Sequence, residues 1–483
     1  METDQRAEPE AQARRSAWTA RLAERARASA YYPALSHPVL RRLLPGTAAS
    51  ALGDGMSAVA IAWLALRLAP AGSRGLWVGA AVAAYSLPGA AGAVLLRRWL
   101  RAHRGARLAI VNAVLRAAAL GLISCLALAR LLDPAGYVGL LGISSLVSAW
   151  GVAGKYTLIA DLLPAEQRVA GNTVFGLADQ LSLMIGPALA GLVTAVAGPA
   201  TVIGLDAASW AVLGLSYARV APLAVRLQPL TPEPQAAEPA APLAPDPQAE
   251  PAAAEPATHE APEASEVSQA PTAGAWAVIR SSPVLPGLMA LSFVFYLLYG
   301  PVEVALPVHV ATDLHGSAAL LGTFWAVFGV GAVIGELSAP FLRRLRVWPT
   351  MTWIVIGWGL GLLPLGLHTP LWVALTAFFA AAVIWGPWMS LSMAVLQDAS
   401  PPAALAQVIA ARSSLLIIAS PIGTAFGGPI VAALGARGTL LVSALATIGL
   451  GLITTTVLLT RRARKAAAGL SPDGLQVSFM FPG

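Results

Sequence analysis

Apolar residues run along this chain in blocks of about 20, each long enough to cross a hydrocarbon core of ~30 Å as a helix rising 1.5 Å per residue. Six blocks are predicted before residue 223, at 45–69, 76–97, 107–131, 137–160, 171–196 and 200–220. Six more follow residue 282, at 284–310, 316–340, 349–367, 371–396, 404–433 and 438–460. Between the two sets, residues 223–273 are rich in Pro, Ala and Glu, too poor in apolar side chains to offset chain entropy, and predict a disordered linker.

The two sets repeat one another. A shift of 237 residues places Asp161, Pro164, Ile185, Gly186, Gly191, Ala195 and Gly198 on Asp398, Pro401, Ile422, Gly423, Gly428, Ala432 and Gly435 without a gap. Hydrophobicity alone does not produce matched Gly, Pro and Asp, because these residues mark turns and close helix contacts. A weaker match places Gly92 and Gly335 each ahead of a basic cluster, Arg97 and Arg98 in the first half and Arg343, Arg344 and Arg346 in the second. The expected fold class is therefore an all-α integral membrane protein with 12 transmembrane helices in two pseudo-symmetric six-helix bundles. The expected division is an Arg-rich N-tail (1–44), a first bundle (45–222), the linker (223–273), a second bundle (274–462) and a C-tail (463–483).

Composition agrees: 57% of the 483 residues are hydrophobic, 11% are charged, and the mean hydropathy is +0.69. The formal charge of +7 would suit nucleic acid if it were spread over a soluble face, but its placement points to a membrane instead. Alternating the spans puts 24 of the 31 Lys and Arg residues on the side of the tails and linker, 4 on the other side and 3 within spans. The positive-inside rule then makes both termini cytoplasmic. Two readings stand for the N-tail, an amphipathic segment lying on the anionic leaflet or a flexible topology determinant. Its polar, Arg-rich start does not have the form of a cleavable signal peptide. The single Cys125 excludes an intrachain disulfide and a cysteine metal site. Arg outnumbers Lys 29 to 2 and Ala is abundant, as in a GC-rich bacterial genome, so the expected location is a bacterial inner or plasma membrane.

Ionisable residues inside a membrane cost roughly 2.5–3.5 kcal/mol each on insertion scales and are site candidates by default. Asp54, flanked by Gly53 and Gly55, lies deep in the first span, with Arg116 and Asp179 at a similar depth in the third and fifth, a spacing that allows one shared network. Glu336 and Arg412, at the cytoplasmic ends of spans 8 and 11, are expected to pair. Lys155 is expected to snorkel to the surface, and Asp206 to favour the start of the sixth span. Glu303 follows Gly300-Pro301, where a helix break is expected to face it toward a cavity or its outer mouth. Tyr296, Tyr299, Trp325, Trp358, Trp385 and Trp388 are candidate cavity aromatics; packing and interface anchoring are the competing roles. An aromatic cavity with one acid suits an amphiphilic, cationic molecule.

Six plus six helices, a long central linker and basic loops after spans 2 and 8 resemble the major facilitator superfamily. Gly186-Pro187, followed by Gly191, is similar to the antiporter motif of exporters related to the enterobactin and multidrug exporters, with Ala190 in place of one Gly. Gly53-Asp54-Gly55 resembles the acid-bearing first helix of that group. The gating loop of Gly92, Arg97 and Arg98 departs from it: Leu96 stands where the family has Asp, and Ala339 in the second half.

The resemblance implies alternating-access export of a small molecule in exchange for protons, with Asp54 or Glu303 carrying the coupling, by a monomer in the bilayer. Two alternatives stand beside it, a facilitator or importer of a small metabolite or lipid, and a membrane sensor or scaffold that does not transport. The sequence has no Gly-rich phosphate loop, no metal-ligand cluster and no nucleophile elbow. A non-enzymatic protein without cofactor, metal or nucleic-acid partner is expected, driven by an ion gradient.

Overall fold

A computed structural model describes residues 32–95, 105–162, 165–227, 273–342, 345–401 and 404–467. The N-tail up to residue 31, Arg97 and Arg98, most of the linker and the end of the C-tail lie outside the described residues. Helices follow in the order α1 (Tyr32–Ser36), α2 (Pro38–Leu68), α3 (Arg74–Leu95), α4 (Gly105–Leu128), α5 (Pro134–Ser145), α6 (Ser148–Leu162), α7 (Ala165–Ala197) and α8 (Pro199–Leu227). After the linker come α9 (Ala273–Ser281), α10 (Leu285–Val308), α11 (Ala318–Leu342), α12 (Val347–Gly366), α13 (Leu371–Trp385), α14 (Trp388–Asp398) and α15 (Leu405–Ala467). No strand occurs among the described residues, and nine of their helical segments are long and apolar enough to cross a membrane.

Helix α15 has 63 residues, ~95 Å at the α-helical rise, three times the thickness of a bilayer core. It is two helices joined at Gly435, whose φ of 72° and ψ of 172° suit glycine alone. The other glycine with positive φ among the described residues is Gly198 (φ 84°), its repeat partner, at the turn from α7 to α8. The fourth and tenth spans are each broken, α5 from α6 at Leu146-Val147 and α13 from α14 at Gly386-Pro387. Gly92 lies against the Leu146 carbonyl and Gly335 against that of Val383, so each sits beside the break of its own half.

The first span, α2, begins at Pro38, seven residues before the expected 45, because Val39, Leu40 and Leu43 are buried while Arg41 and Arg42 of the same turn are exposed. Pro301 does not break its helix, contrary to expectation. The carbonyl it deprives of a partner, that of Leu297, is packed against Gly423, and Gly300 in turn lies against Gly423 and Thr424. Such burial against protein makes a proline tolerable in a membrane helix. Gly55 meets Gly186 between α2 and α7 in the same way in the first half.

The halves touch through another pair of glycine contacts. Gly79 on α3 lies on Gly428 of α15, and Gly191 on α7 lies on Gly322 of α11. The repeat exchanges Gly191 with Gly428, so these are one contact made twice. Both lie toward the helix ends remote from the Arg-rich loops.

Candidate functional site

Asp54 sits where α2 meets three other helices. Arg116 of α4 donates from Nη1 to both its oxygens, at 2.9 and 3.2 Å; the Tyr85 hydroxyl of α3 donates to Oδ1 at 2.8 Å, and Trp210 Nε1 of α8 to the same oxygen at 3.2 Å. The Arg116 guanidinium lies between the rings of Tyr85 and Trp210, 4.8 and 4.7 Å from their centroids. This double cation–π arrangement holds a charge that is otherwise costly at this depth. Arg116 is 9% exposed at its side chain and Asp54 37%, so the acid faces open space while its partner is enclosed.

That space is a cavity of about 360 Å³ bounded by α2, α4, α6, α7 and α8 and running along α2 from Thr47 to Ala58. Asp179 also lines it but does not join Arg116: it pairs with Lys155 of α6 at 3.1 Å. The expected single network is thus two ion pairs on the walls of one cavity, and Lys155 turns toward that cavity. Gly53 and Gly55 provide the clearance. A methyl group on Gly53 would overlap Asp206 and Ser209 of α8, and one on Gly55 would overlap Ser182 of α7, whose hydroxyl donates to the Ala51 carbonyl.

Asp206 is not at a helix start. It lies seven residues into α8, is 0% exposed, and accepts a hydrogen bond from Ser57 Oγ at 2.5 Å. Sequence reasoning gave Asp206 only a helix-start role and missed Tyr85 and Trp210, although Asp206 and Trp210 share a helix face at i and i+4, as Asp54 and Ser57 do at i and i+3.

In the second half, half-buried Glu303 of α10 accepts from Thr424 Oγ1 of α15 at 3.1 Å and forms no ion pair among the described residues. One turn earlier Tyr299 adjoins Trp358, with ring centroids 5.9 Å apart. Trp358 continues into a cluster with Phe328, Trp385 and Phe378, which Trp325 joins, at centroid separations of 5.3–6.4 Å. Tyr296 donates to Met389 Sδ at 3.1 Å. Trp388 and Trp358, 0% and 1% exposed, are core residues in this conformation rather than cavity aromatics, Trp388 packing edge-on to Phe295. Glu336 and Arg412 do not pair: Glu336 is exposed and bonded to Ser390, while buried Arg412 donates to Ser392 Oγ at 2.7 Å. Among the described residues no group of three or more His, Cys, Asp and Glu is placed to hold a metal.

Two repeated helical halves with charged and aromatic surfaces buried between membrane helices define a secondary transporter. Residues 43–345 match the family model of the Major Facilitator Superfamily, and the chain belongs to that family. Among relatives, the multidrug efflux pump Tap of Mycolicibacterium fortuitum is 25% identical over 438 residues, covering 86% of this chain and 94% of that protein. The multidrug efflux pump Tap of Mycobacterium tuberculosis is 25% identical over 421 residues, with 85% and 91% covered. The fold also matches a bacterial homologue of the iron transporter ferroportin in its inward-facing state (TM-score 0.61, 14% identity, 86% of this chain and 98% of that one). A bacterial homologue of the human lysosomal transporter Spinster, inward-facing and unoccupied, matches at a TM-score of 0.58 with 12% identity, covering 87% and 96%.

Proposed function

We propose that this transporter exports amphiphilic, cationic drug-like molecules across a bacterial plasma membrane in exchange for protons. The observation that carries the reading is the joining of unlike surfaces in one molecule, a cavity walled by two ion pairs in the first half and, in the second, an aromatic cluster beside Glu303, which forms no ion pair among the described residues. A lipophilic cation needs both, an acid for its charge and rings for its body. The names of the mycobacterial relatives support the drug-like substrate class.

In this reading the chain crosses the membrane twelve times as a monomer, its tails and linker are cytoplasmic, and the domain divisions are those expected from the sequence except that the first bundle starts at Pro38. The glycine contacts then close the outer end and the cavity belongs to an inward-facing state. Asp54 and Glu303 receive substrate and proton on either side of the pseudo-twofold. Equilibrium binding of a fluorescent lipophilic cation to the purified full chain tests the site assignment. Asp54→Asn and Glu303→Gln are each expected to weaken binding, and unchanged affinity in both would refute it.

A further inference from the structure

The first half places two carboxylates, one of them fully enclosed, and one buried cation within about one helical turn. Asp54 and Ser57 lie on one face of α2, and Trp210 and Asp206 on the facing side of α8, so the Asp54–Trp210 and Ser57–Asp206 contacts are successive layers ~6 Å apart. Arg116 spends its Nη1 donor on Asp54, and Asp206 forms no ion pair among the described residues. The partners of Asp206 are hydroxyls: Ser57 Oγ on Oδ2, with Ser209 Oγ 3.4 Å from Oδ1. Two acids and one arginine leave one negative charge without compensation, and a fully enclosed carboxylate is where that charge is least tolerable.

We propose that Asp206 is the proton-exchanging group of the first half and that Arg116 is the element it switches. This rests on the proton-coupled reading above. With a proton on Asp206, charges balance and Arg116 pairs with Asp54, as seen here. When Asp206 releases its proton to water, the new carboxylate competes for Arg116, whose guanidinium lies over the Trp210 ring, one turn from Asp206, and whose buried Nε has no hydrogen-bond partner among the described residues. Asp54, the exposed member, is then freed for a cationic cargo. Reprotonation of Asp206 from the far side returns Arg116 to Asp54 and expels the cargo, so one proton enters for each cation released.

The charged and titratable groups around Asp206 are Asp54 from α2, Tyr85 from α3, Arg116 from α4, and the Lys155–Asp179 pair further along α6 and α7. On α8 itself Tyr217 lines the same cavity. Gly53 is explained by the same arrangement, since only a residue without Cβ leaves room for Asp206 Oδ1.

Infrared difference spectroscopy of the purified full chain tests this without requiring transport. In a Glu303→Gln background at neutral pH, with the Asp54–Arg116 pair intact, a protonated-carboxyl stretch should be present and should vanish when Asp206→Asn is added. Persistence of the band after that addition, or its absence before it, would overturn the proposal. In proteoliposomes with an acidic lumen and ethidium as the probe, Asp206→Asn should lose pH-driven accumulation and flatten the pH dependence of ethidium affinity. Full gradient-driven accumulation by Asp206→Asn would also overturn it. If wild type itself failed to accumulate ethidium, the export reading and the coupling role would fall together, while the infrared band would still report on the proton.

Discussion

At the residue scale, the Asp54–Arg116 pair is the point on which charge, aromatic packing and cavity access meet. Arg116→Ala removes the buried ion-pair partner of Asp54. Breaking a buried pair in this way costs about 3–5 kcal/mol, and the partial exposure of Asp54 puts the expectation at the low end. Thermal unfolding in detergent should show a clear fall in midpoint for Arg116→Ala, and Arg116→Ala/Asp54→Asn should recover part of it. In the second half, Thr424→Val removes the hydroxyl donor of Glu303 while keeping the side-chain shape. It should alter the pH dependence of cation binding, read by fluorescence titration, with little change in thermal midpoint. A profile identical to wild type would remove Thr424 from the account of Glu303.

At the scale of helices, the glycine positions matched by the repeat carry the architecture. Gly435→Ala forces an L side chain into a backbone region open essentially to glycine, at a cost of about 1–3 kcal/mol, and should lower the unfolding midpoint accordingly. Gly322→Leu pushes a side chain into Gly191 and the Pro187 carbonyl at the contact between halves. It should spread the ends of α7 and α11 in spin-label distance measurements made in a Cys125→Ser background.

Much of this level was legible beforehand. Gly198 and Gly435 mark equivalent turns, Gly191 and Gly428 equivalent contacts, and Gly186 and Gly423 equivalent packing within the halves, because glycine is required where backbones touch or φ turns positive. What was not legible is rotation about the helix axes. Counting residues gave a common depth to Asp54, Arg116 and Asp179, but at 100° per residue depth does not choose a partner. Asp179 therefore reached Lys155, and Glu336 and Arg412 reached Ser390 and Ser392 rather than each other. Asp206 was misjudged for the same reason: its place in the chain did not reveal Ser57 and Gly53 across the helix boundary.

For the whole molecule, the repeat gives two halves that touch through paired glycines, with a charged cavity among the helices of the first half. In the proposed cycle the glycine-closed end is exchanged for the opposite one, and the ion pairs of the cavity decide which state a cation or a proton favours. The central claim is that these two ligands compete. Its most direct test is ethidium uptake into proteoliposomes holding the purified full chain, with an acidic lumen and neutral medium. The account predicts ethidium accumulation coupled to a measurable outflow of protons, both lost in Asp54→Asn. Ethidium movement that proceeds at the same rate and extent with and without the proton gradient would contradict it.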